Sequence, residues 1–482
     1  MHRLRQCDAG RTPVTLQPGY GRRVLDALDH CPDRIALRQG NSALTYSQTR
    51  KHVLGAAARL EELGLRPGDT LVQIRDNDVW QWILGAACAV AGFRSCSISP
   101  SLPADEASRR VAVAAPTLVI TDELGEQVAA GFQVSSLADV VEPTAEFGRK
   151  LTDTSRVIRL AFTSGTGGQA KGVELSDAAM GAVAAASAAT IPWPEQPTVI
   201  CAEAVSGGFG NMILPTLICG GTVVLPTPTE PLSGLLDVYP GAVLLVMPPT
   251  LRKLLDESGP LGTPPTLLVY SGDVLASSEI DRVHRWAGPV LCGIYGQVEV
   301  PKTIAVLLPE EHLVPHYAAS LGRPFPGTEW RVVDLDGHDV PVGQAGELWV
   351  RSATIMSGYA TAEPARPPFA GDWLRTGDIC RVEDDYAFHE GRIEDVLAHR
   401  PTVVCPAAVE RRVHAPSDTQ IALLPGHEDG DVVVMSTSVE NAASIQEAIE
   451  ESGLTLEKFV KVEGIPRTWM GRIDRLQLRS FT

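Results

Sequence analysis

Short apolar segments alternate with helical segments through the first three quarters of the sequence, and this alternation constrains the fold most strongly. Strand-like runs bounded by glycine or proline are residues 70–74, 117–120, 198–202, 222–225, 242–247 and 266–270. Helical apolar spacing is found in residues 23–28, 46–63 and 79–91. Repeated strand–helix units form parallel sheets that are covered by helices. The sequence therefore predicts a large α/β N-terminal domain built of parallel subdomains.

The pattern changes after about residue 322. Hairpin-like strands at residues 329–334, 347–351 and 379–383, with the turn Asp336-Gly337, predict a small β-barrel-like subdomain. The last stretch of the chain predicts a small α+β C-terminal domain. A chain of 482 residues is also too long for one compact core.

Composition excludes several classes of protein. The sequence has 41 basic and 58 acidic residues and a net charge of -17, which disfavours nucleic acid as a partner. No stretch reaches the roughly 18 apolar residues of a membrane span, and residues 1–13 lack the apolar core of a secretory signal. The nine cysteines form no CxxC pair, so we expect no zinc site or disulfide framework, and a reducing cytoplasm fits best.

The densest chemical signal is a loop rich in glycine and hydroxyl side chains, which follows a predicted strand and precedes a helix starting near Ser176. Glycines let backbone N–H groups approach an anion, hydroxyls add donors, and a lysine adds positive charge. The pattern predicts a phosphate-binding loop that lacks the Walker-type Gly-Lys-Ser/Thr; a flexible surface turn is the alternative. Its residues are Thr163, Ser164, Gly165, Thr166, Gly167, Gly168 and Lys171.

Further motifs follow this loop in a fixed order. They are Tyr-Gly-Gln-Val-Glu at 295–299, Gly-Glu-Leu at 346–348 with Gly-Tyr at 358–359, Trp-Leu-Arg-Thr-Gly-Asp at 373–378, Gly-Arg-Ile-Glu-Asp at 391–395, and residues 466–475. With the loop, they resemble the adenylate-forming superfamily, which includes acyl-CoA synthetases, peptide-synthetase adenylation domains and luciferases. The resemblance extends over nearly the whole chain from about Ala36.

The resemblance implies ATP and Mg²⁺ as cofactors and gives each motif a role. Glu299 would hold Mg²⁺, a task suited to a carboxylate. Tyr295 would stack on adenine opposite Gly272 and Asp273, and Asp378 would accept hydrogen bonds from the ribose. The implied catalytic residues are Thr163, Lys171, Glu299 and Arg472, and the implied ATP-binding residues also include Ser164, Gly165, Thr166, Gly167, Gly168, Gly296 and Arg392.

Each of these residues, taken alone, also has a structural interpretation. Glu299 could be a solvated surface carboxylate, Tyr295 a core tyrosine, and Asp378 a turn aspartate beside Gly377. Arg392 alone is most often an exposed arginine. The assignment therefore rests on the ordered set of motifs rather than on any one member.

The acid substrate is expected between two stretches, residues 203–209 and the walls 271–273 and 292–294. These stretches are apolar with small side chains, which fits an aryl or medium acyl chain, and no carboxylate is placed to bind an α-amino group. Small residues and valines also line cores far more often than ligand sites. The predicted pocket residues are Val205, Ser206, Gly207, Gly208, Ser271, Gly272, Gly293 and Ile294.

The sequence departs from the family pattern at several positions. Gly167, Ala170 and Val298 replace a threonine, a proline and a threonine, which predicts weaker ATP binding. Arg472 stands where the family has its catalytic lysine, a substitution that is not conservative. Pro401 replaces a glycine in the segment that lines the pantetheine tunnel in relatives, and proline removes an N–H.

The resemblance implies an N-terminal ATP- and acid-binding domain at 1–391, a hinge at 392–394 that contains Glu394, and a mobile C-terminal domain at 395–482. The predicted function is ATP-dependent activation of a carboxylic acid as acyl-AMP, followed by transfer, by default to coenzyme A or a carrier thiol. Pro401 keeps open another nucleophile: an amine, a hydroxyl or an inorganic nitrogen species. Arg472 and Val298 keep open a degenerate homologue that binds nucleotide without turnover.

Overall fold

The computed structural model describes residues 18–75, 77–121, 128–129, 131–141, 147–148, 153–163, 171–257, 263–361, 366–399, 403–410, 413, 420–439, 442–468 and 473–481. Between residues 18 and 190 these form α1 (Tyr20–His30), β1 (Ile35–Gln39), β2 (Ser42–Thr45), α2 (Tyr46–Glu62), β3 (Thr70–Ile74), α3 (Val79–Ala91), β4 (Arg94–Ile98), α4 (Ala104–Ala114), β5 (Leu118–Thr121), β6 (Val134–Ser135), α5 (Ala138–Val141), β7 (Val157–Phe162), β8 (Gly172–Ser176) and α6 (Asp177–Thr190).

The described residues from 191 to 392 continue with β9 (Thr198–Cys201), α7 (Ile213–Ile218), β10 (Thr222–Leu225), α8 (Leu232–Val238), β11 (Val243–Val246), α9 (Pro248–Glu257), β12 (Leu267–Tyr270), α10 (Ser277–Ala287), β13 (Leu291–Tyr295), β14 (Ala305–Leu307), α11 (Pro315–Ala318), β15 (Arg323–Pro324), β16 (Glu329–Val333), β17 (Gly346–Arg351), β18 (Gly358–Tyr359), β19 (Phe369–Ala370), β20 (Trp373–Glu383) and β21 (Tyr386–Arg392). Beyond residue 392 lie α12 (Pro406–Glu410), β22 (Ile421–Pro425), β23 (Asp431–Ser436), α13 (Ala442–Glu451), β24 (Thr455–Lys461) and α14 (Arg475–Arg479). Short 3₁₀ turns occur at Gly208–Met212, Glu311–Leu313 and Ile393–Asp395.

Two large sheets form the N-terminal domain. Among the described strands, nine are ordered β15-β14-β13-β12-β11-β9-β10-β1-β2, and seven are ordered β18-β8-β7-β4-β3-β5-β6. The interior pairings β9–β10, β9–β11, β11–β12 and β3–β4 are parallel, as the strand–helix alternation predicts. Antiparallel strands lie towards the edges, for example β2 against β1 and β8 against β7.

Helices fill the space between these two sheets. Helix α3 ends at Gly92, which adopts the left-handed conformation that glycine tolerates best. Helix α2 begins with a capping box in which the Thr45 hydroxyl accepts from the Gln48 N–H and the Gln48 side chain accepts from the Thr45 N–H. Side chains of α1, α2, α3, α6 and α7 belong to one buried cluster with strands of both sheets. The main core therefore lies between the two sheets.

The remaining strands form two smaller sheets. Strands β16, β17, β20 and β19, with β21 beside β20, form an antiparallel sheet, which matches the predicted β-subdomain. The predicted strand at 379–383 is longer than expected, because β20 starts at Trp373 and the Thr-Gly-Asp motif lies inside it. Strands β22–β24 form a three-stranded sheet that packs with helices as the predicted α+β C-terminal domain.

Among the described residues, no helix combines the length and the apolar character needed to cross a lipid bilayer. The eight cysteines in the described part of the chain are free thiols.

Candidate active site

The two ends of the predicted phosphate-binding loop meet at the end of a hairpin. The Thr163 N–H donates to the Lys171 carbonyl at 3.1 Å, and the Lys171 N–H donates to the Thr163 hydroxyl at 3.2 Å. The sequence predicted a helix starting near Ser176 after this loop, and α6 begins there with Ser176 as N-cap; strand β8, which was not predicted, lies between the loop and the helix. The residues between the two ends lie outside the described residues, including the predicted Ser164, Gly165, Thr166, Gly167 and Gly168.

The predicted Mg²⁺ ligand lies beside the end of this loop. The Tyr359 hydroxyl donates to Glu299 Oε1 at 2.8 Å, and Lys171 Nζ lies 5.4 Å from the centroid of the Tyr359 ring. Tyr359 therefore contacts both the carboxylate and the lysine that the sequence assigned to the phosphate site. Burial, then the charge of Glu299, raise the pKa of Tyr359, so the phenol stays protonated and can donate.

Backbone pairing explains how these distant segments meet. Strand β18 pairs with β8, which places Tyr359 opposite Val173. The Met356 N–H donates to the Glu299 carbonyl at 2.8 Å, three residues before Tyr359. The hairpin that holds Lys171 and the segment that holds Glu299 are thus both attached to residues 356–359, which fixes the phosphate side of the candidate site.

A second cluster surrounds the buried carboxylate of Asp378. Its Oδ2 accepts from the Tyr295 hydroxyl and, at 2.5 Å, from Gln297 Nε2. Its Oδ1 lies 2.8 Å from Arg392 Nη1 and 3.3 Å from His389 Nε2. The structure therefore brings together three predicted site residues, Tyr295, Asp378 and Arg392, from positions far apart in the sequence.

The electrostatics of this cluster keep Asp378 ionised. Burial by itself raises the pKa of the carboxyl, but the Arg392 charge and the hydrogen bonds of His389 and Tyr295 outweigh it and hold the pKa well below the usual range. Burial and the neighbouring Asp378 raise the pKa of Tyr295, so its phenol remains a donor. An ionised carboxylate that accepts from several donors is suited to binding hydroxyl groups.

Gln297 and His389 were not found by the sequence analysis. Gln297 is the variable third residue of the Tyr-Gly-Gln-Val-Glu motif, and its amide also donates to the Thr376 carbonyl at 2.9 Å. His389 lies on β21, directly opposite Cys380 on β20, so only strand pairing brings it near Asp378. No local sequence pattern distinguishes either residue.

The predicted hinge residue lies next to this cluster. Arg392 Nε lies 3.4 Å from Glu394 Oε1, and Arg479 of the last helix donates to the Glu394 carbonyl at 2.7 Å. Arg479 Nη2 also lies 3.2 Å from the carboxylate of Asp395. The last helix, α14, is thus hydrogen-bonded to residues 394 and 395, which follow the last strand of the β-subdomain. Arg472 and Pro401 lie outside the described residues.

The predicted walls of the acid pocket face each other across a lysine that the sequence analysis missed. Lys302 Nζ donates to the buried Ser271 hydroxyl at 2.6 Å and lies 5.1 Å from the centroid of the Phe209 ring. A Cβ added at Gly208 would lie 2.5 Å from Lys302 Cε. A side chain at position 208 would therefore displace the end of the Lys302 side chain from its present place.

The other predicted pocket residues divide between the site and the core. Val205 and Ile294 are buried in the main hydrophobic cluster, so their side chains also serve the core. The Ser206 carbonyl accepts from Arg159, and Gly207 is exposed. A Cβ at Gly293 would lie 3.0 Å from the Tyr270 hydroxyl. Gly272 has a φ of 108°, which favours glycine, and it leads into Asp273.

Gly296 lies in surroundings that leave no room for a side chain. An added Cβ would lie 2.3 Å from the Lys302 backbone nitrogen and 2.5 Å from the Val300 carbonyl. A side chain at this position would therefore displace the segment that carries Glu299.

A family profile described as AMP-binding enzyme matches residues 25–360, well over half of the chain. The chain belongs to this adenylate-forming family. The predicted family is thus confirmed. Because the profile ends at residue 360, the Asp378 cluster and the C-terminal domain lie beyond the matched region.

One relative of this chain is a much longer protein. Phenyloxazoline synthase MbtB of Mycobacterium tuberculosis (strain CDC 1551 / Oshkosh) is 29% identical over 490 residues, which cover 93% of this chain and 34% of that protein. The chain therefore spans about a third of the length of this relative.

Solved structures confirm the predicted fold. The amide bond synthetase McbA from Marinactinospora thermotolerans has a TM-score of 0.81 at 24% identity, covering 96% of this chain and 99% of that one. The O-succinylbenzoate coenzyme A synthetase MenE from Bacillus subtilis, in complex with ATP and magnesium ion, has a TM-score of 0.81 at 20% identity, covering 95% and 99%. Both comparisons show the two-domain fold of the family.

Proposed function

We propose that this protein uses ATP to activate a carboxylic acid as its acyl-AMP and then transfers the acyl group to a nucleophile. The observation that carries the proposal is the segment 295–299, which connects two clusters. Its first residue, Tyr295, contacts the ionised Asp378, and its last, Glu299, contacts Tyr359 beside Lys171. One short segment thus joins a hydroxyl-accepting carboxylate to a paired lysine and carboxylate suited to a metal-bound polyphosphate.

The residues fit an ATP–Mg²⁺ complex by their chemistry. Asp378 would accept from the ribose hydroxyls, while Tyr295, with Gly272 and Asp273, would hold the adenine. Lys171 and Thr163 would bind phosphate oxygens, and Glu299 supplies the carboxylate oxygen that Mg²⁺ prefers. When bound, Mg²⁺ offsets the charge of the phosphate oxygens.

In the proposed reaction, a carboxylate oxygen of the acid attacks the α-phosphorus of ATP in line, and the bond to the bridging oxygen breaks. Acyl-AMP forms and pyrophosphate leaves. The protein contributes positioning and charge stabilisation rather than covalent catalysis. Arg472 would supply positive charge where the family uses lysine. Loss of one well-aimed donor costs about 3 kcal/mol, or roughly a hundredfold in rate, which the guanidinium would recover only in part.

The acyl acceptor has two candidates. Coenzyme A or a carrier thiol is the default in this family, and MenE is named as a coenzyme A synthetase. An amine is the alternative, supported by the amide bond synthetase McbA and by Pro401 in place of the usual glycine. Supplying ATP, an accepted acid and each acceptor in turn, with products identified by mass, discriminates the two. Absence of thioester with every acid that supports pyrophosphate release rejects the default.

We also propose a hinge at residues 392–394, between an N-terminal domain at 1–391 and a mobile C-terminal domain at 395–482. The proposal is supported by the end of the β-subdomain sheet at Arg392 and by the separate sheet formed by β22–β24. Arg479 of the last helix donates to the Glu394 carbonyl and to Asp395, so the C-terminal domain is hydrogen-bonded to the end of the proposed hinge.

The proposal is tested by pyrophosphate release across a panel of aromatic, fatty and amino acids with ATP and Mg²⁺. We expect release that depends on the acid and is strongest with aryl or medium-chain acids. A degenerate nucleotide-binding homologue predicts release only after Arg472→Lys restores the family's lysine. Wild-type release comparable to that of the Arg472→Lys variant rejects the degenerate alternative.

A further inference from the structure

The side chain of Lys302 occupies the gap between the two predicted walls of the acid pocket. One wall, residues 205–209, contacts it through Gly208 and the Phe209 ring. The other wall contacts it through Ser271, whose hydroxyl accepts a 2.6 Å hydrogen bond from Nζ. An ammonium group carries three N–H donors and a full positive charge. A half-buried cation therefore lies between the walls of the predicted acid pocket, for which the sequence predicted apolar and small side chains.

The backbone holds Lys302 in an uncommon conformation. Its φ is 60°, in the left-handed region that a residue with a side chain seldom adopts. The close approach of Gly296 to the Lys302 nitrogen packs this segment against the nucleotide side of the site. The next residue, Thr303, is buried and donates to Thr354 at 2.8 Å. Strained residues held by their surroundings cluster at ligand sites, so this outlier points to a role in binding.

A second cation, Arg159, contacts the wall formed by residues 205–209. Arg159 Nη2 donates to the Ser206 carbonyl at 3.2 Å, and Nη1 donates to Asn211 at 2.5 Å. Two carboxylates also belong to the predicted pocket stretches 203–209 and 271–273: Glu203 Oε1 accepts from the Met247 N–H, and Asp273 Oδ1 accepts from the Val274 N–H. Two cations, Lys302 and Arg159, therefore contact this wall in a chain whose net charge is -17.

We propose that Lys302 determines substrate specificity by binding a second anionic group on the acid, apart from the carboxylate that is activated. The substrate class is then a dianionic acid, such as a dicarboxylate. This inference rests on the proposed adenylation activity and deepens it. The Ser271 hydroxyl orients the ammonium, and the Phe209 ring shields it from water, which strengthens its attraction to an anion.

The test compares acids of the same shape that differ only in charge. Benzene dicarboxylates (1,2-, 1,3- and 1,4-isomers) and linear aliphatic dicarboxylates are each paired with their monoamide, and kcat/KM for pyrophosphate release is measured. The ratio within a pair does not depend on the fraction of active enzyme. Lys302→Met keeps the aliphatic length and removes the charge. Lys253→Met is the matched control, since Lys253 lies on an exposed helix face with its side chain 74% exposed.

For the best pair, we expect the wild type to prefer the dicarboxylate by about 10- to 100-fold, the range of one charge-assisted hydrogen bond. Lys302→Met should reduce this ratio towards one, and Lys253→Met should leave it unchanged. Lys302→Glu should reverse the selectivity, favouring acids with a distal amine over the dicarboxylates.

The outcomes separate this inference from the proposed function. Release with monoamides that equals or exceeds release with dicarboxylates in the wild type overturns the role of Lys302 and leaves adenylation intact, even if no variant folds. An unchanged ratio in Lys302→Met overturns it as well, because a structural lysine would lower both activities together. Absence of release with every acid of both types, neutral monoacids included, instead rejects the proposed function.

Discussion

Replacing Asp378 by asparagine removes the charge at the centre of the proposed nucleotide site and nearly preserves its shape. Asp378 is only 5% exposed and accepts from Arg392, Gln297, His389 and Tyr295. A hydrogen bond to a charged group contributes about 1.5–3 kcal/mol, so loss of the charged ribose contact should weaken ATP binding by about 2 kcal/mol, or roughly 30-fold.

The same change should lower stability. The Arg392 guanidinium would lose its nearest carboxylate and keep Glu394 at 3.4 Å. Removing one partner of a fully buried ion pair costs about 3–5 kcal/mol, and a value of about 2 kcal/mol is expected here because the Arg392 side chain is 32% exposed to water.

The assay is calorimetric titration with ATP and Mg²⁺, combined with urea unfolding, on wild type, Asp378→Asn and the control Asp372→Asn. Asp372 is an exposed carboxylate on the turn before β20, so its variant should match the wild type in both measurements. An Asp378→Asn protein that is destabilised but binds ATP with unchanged affinity would refute the ribose-binding role. Unchanged stability would refute the account of the Arg392 pair.

Three further predictions concern metal, pH and packing. Glu299→Gln should lower Mg²⁺-dependent pyrophosphate release by about 100-fold, while the exposed control Glu310→Gln should not; equal rates would contradict the metal role. Burial lowers the pKa of His312 from 6.5 to about 4. As the pH falls from 7 to 5, the imidazole of the unfolded chain becomes protonated while that of the folded protein stays mostly neutral, so the free energy of unfolding decreases. Urea unfolding should therefore show a loss of about 2 kcal/mol between pH 7 and pH 5, which His312→Asn removes; an equal pH dependence in both proteins would contradict this. Glu347→Gln should cost about 2–3 kcal/mol in urea unfolding, because the fully buried carboxylate binds Arg366 at 2.6 Å through both oxygens. The exposed pair of Glu329 with Arg351 predicts a loss of under ~1 kcal/mol for Glu329→Gln, and equal losses would contradict the buried role.

Local signals in the sequence predicted much of the fold. The bounds of β3 and α3 agree with the prediction because both are closed by strong local signals, including the Asp78 cap and Gly92. The strand β8 was missed because only its pairing with β7 distinguishes Gly172–Ser176 from the end of a loop. Strand β20 was predicted too short, since the polar residues of its motif hide the alternation of buried and half-buried positions.

In the candidate site, too, the sequence predicted the residues of motifs but not the contacts that depend on tertiary packing. Tyr295, Asp378 and Arg392 were predicted from their motifs, and the structure brings their side chains together. His389 and Lys302 were missed because each contacts a residue on another strand or on a wall of the predicted pocket, and not a neighbour in the sequence. Lys302 follows Glu299 by three residues, but its sequence gives no indication that it faces Ser271, 31 positions away. Contacts of this range depend on the packing of whole sheets.

The central claim is that the carboxylate oxygen of an acid becomes bonded to the α-phosphorus of ATP. It is tested most directly with an acid labelled with ¹⁸O in its carboxylate, incubated with ATP, Mg²⁺ and an acceptor. The account predicts AMP that carries one ¹⁸O atom, because the attacking oxygen stays on phosphorus when the acyl group leaves. Unlabelled AMP, or label in inorganic phosphate instead, would contradict it.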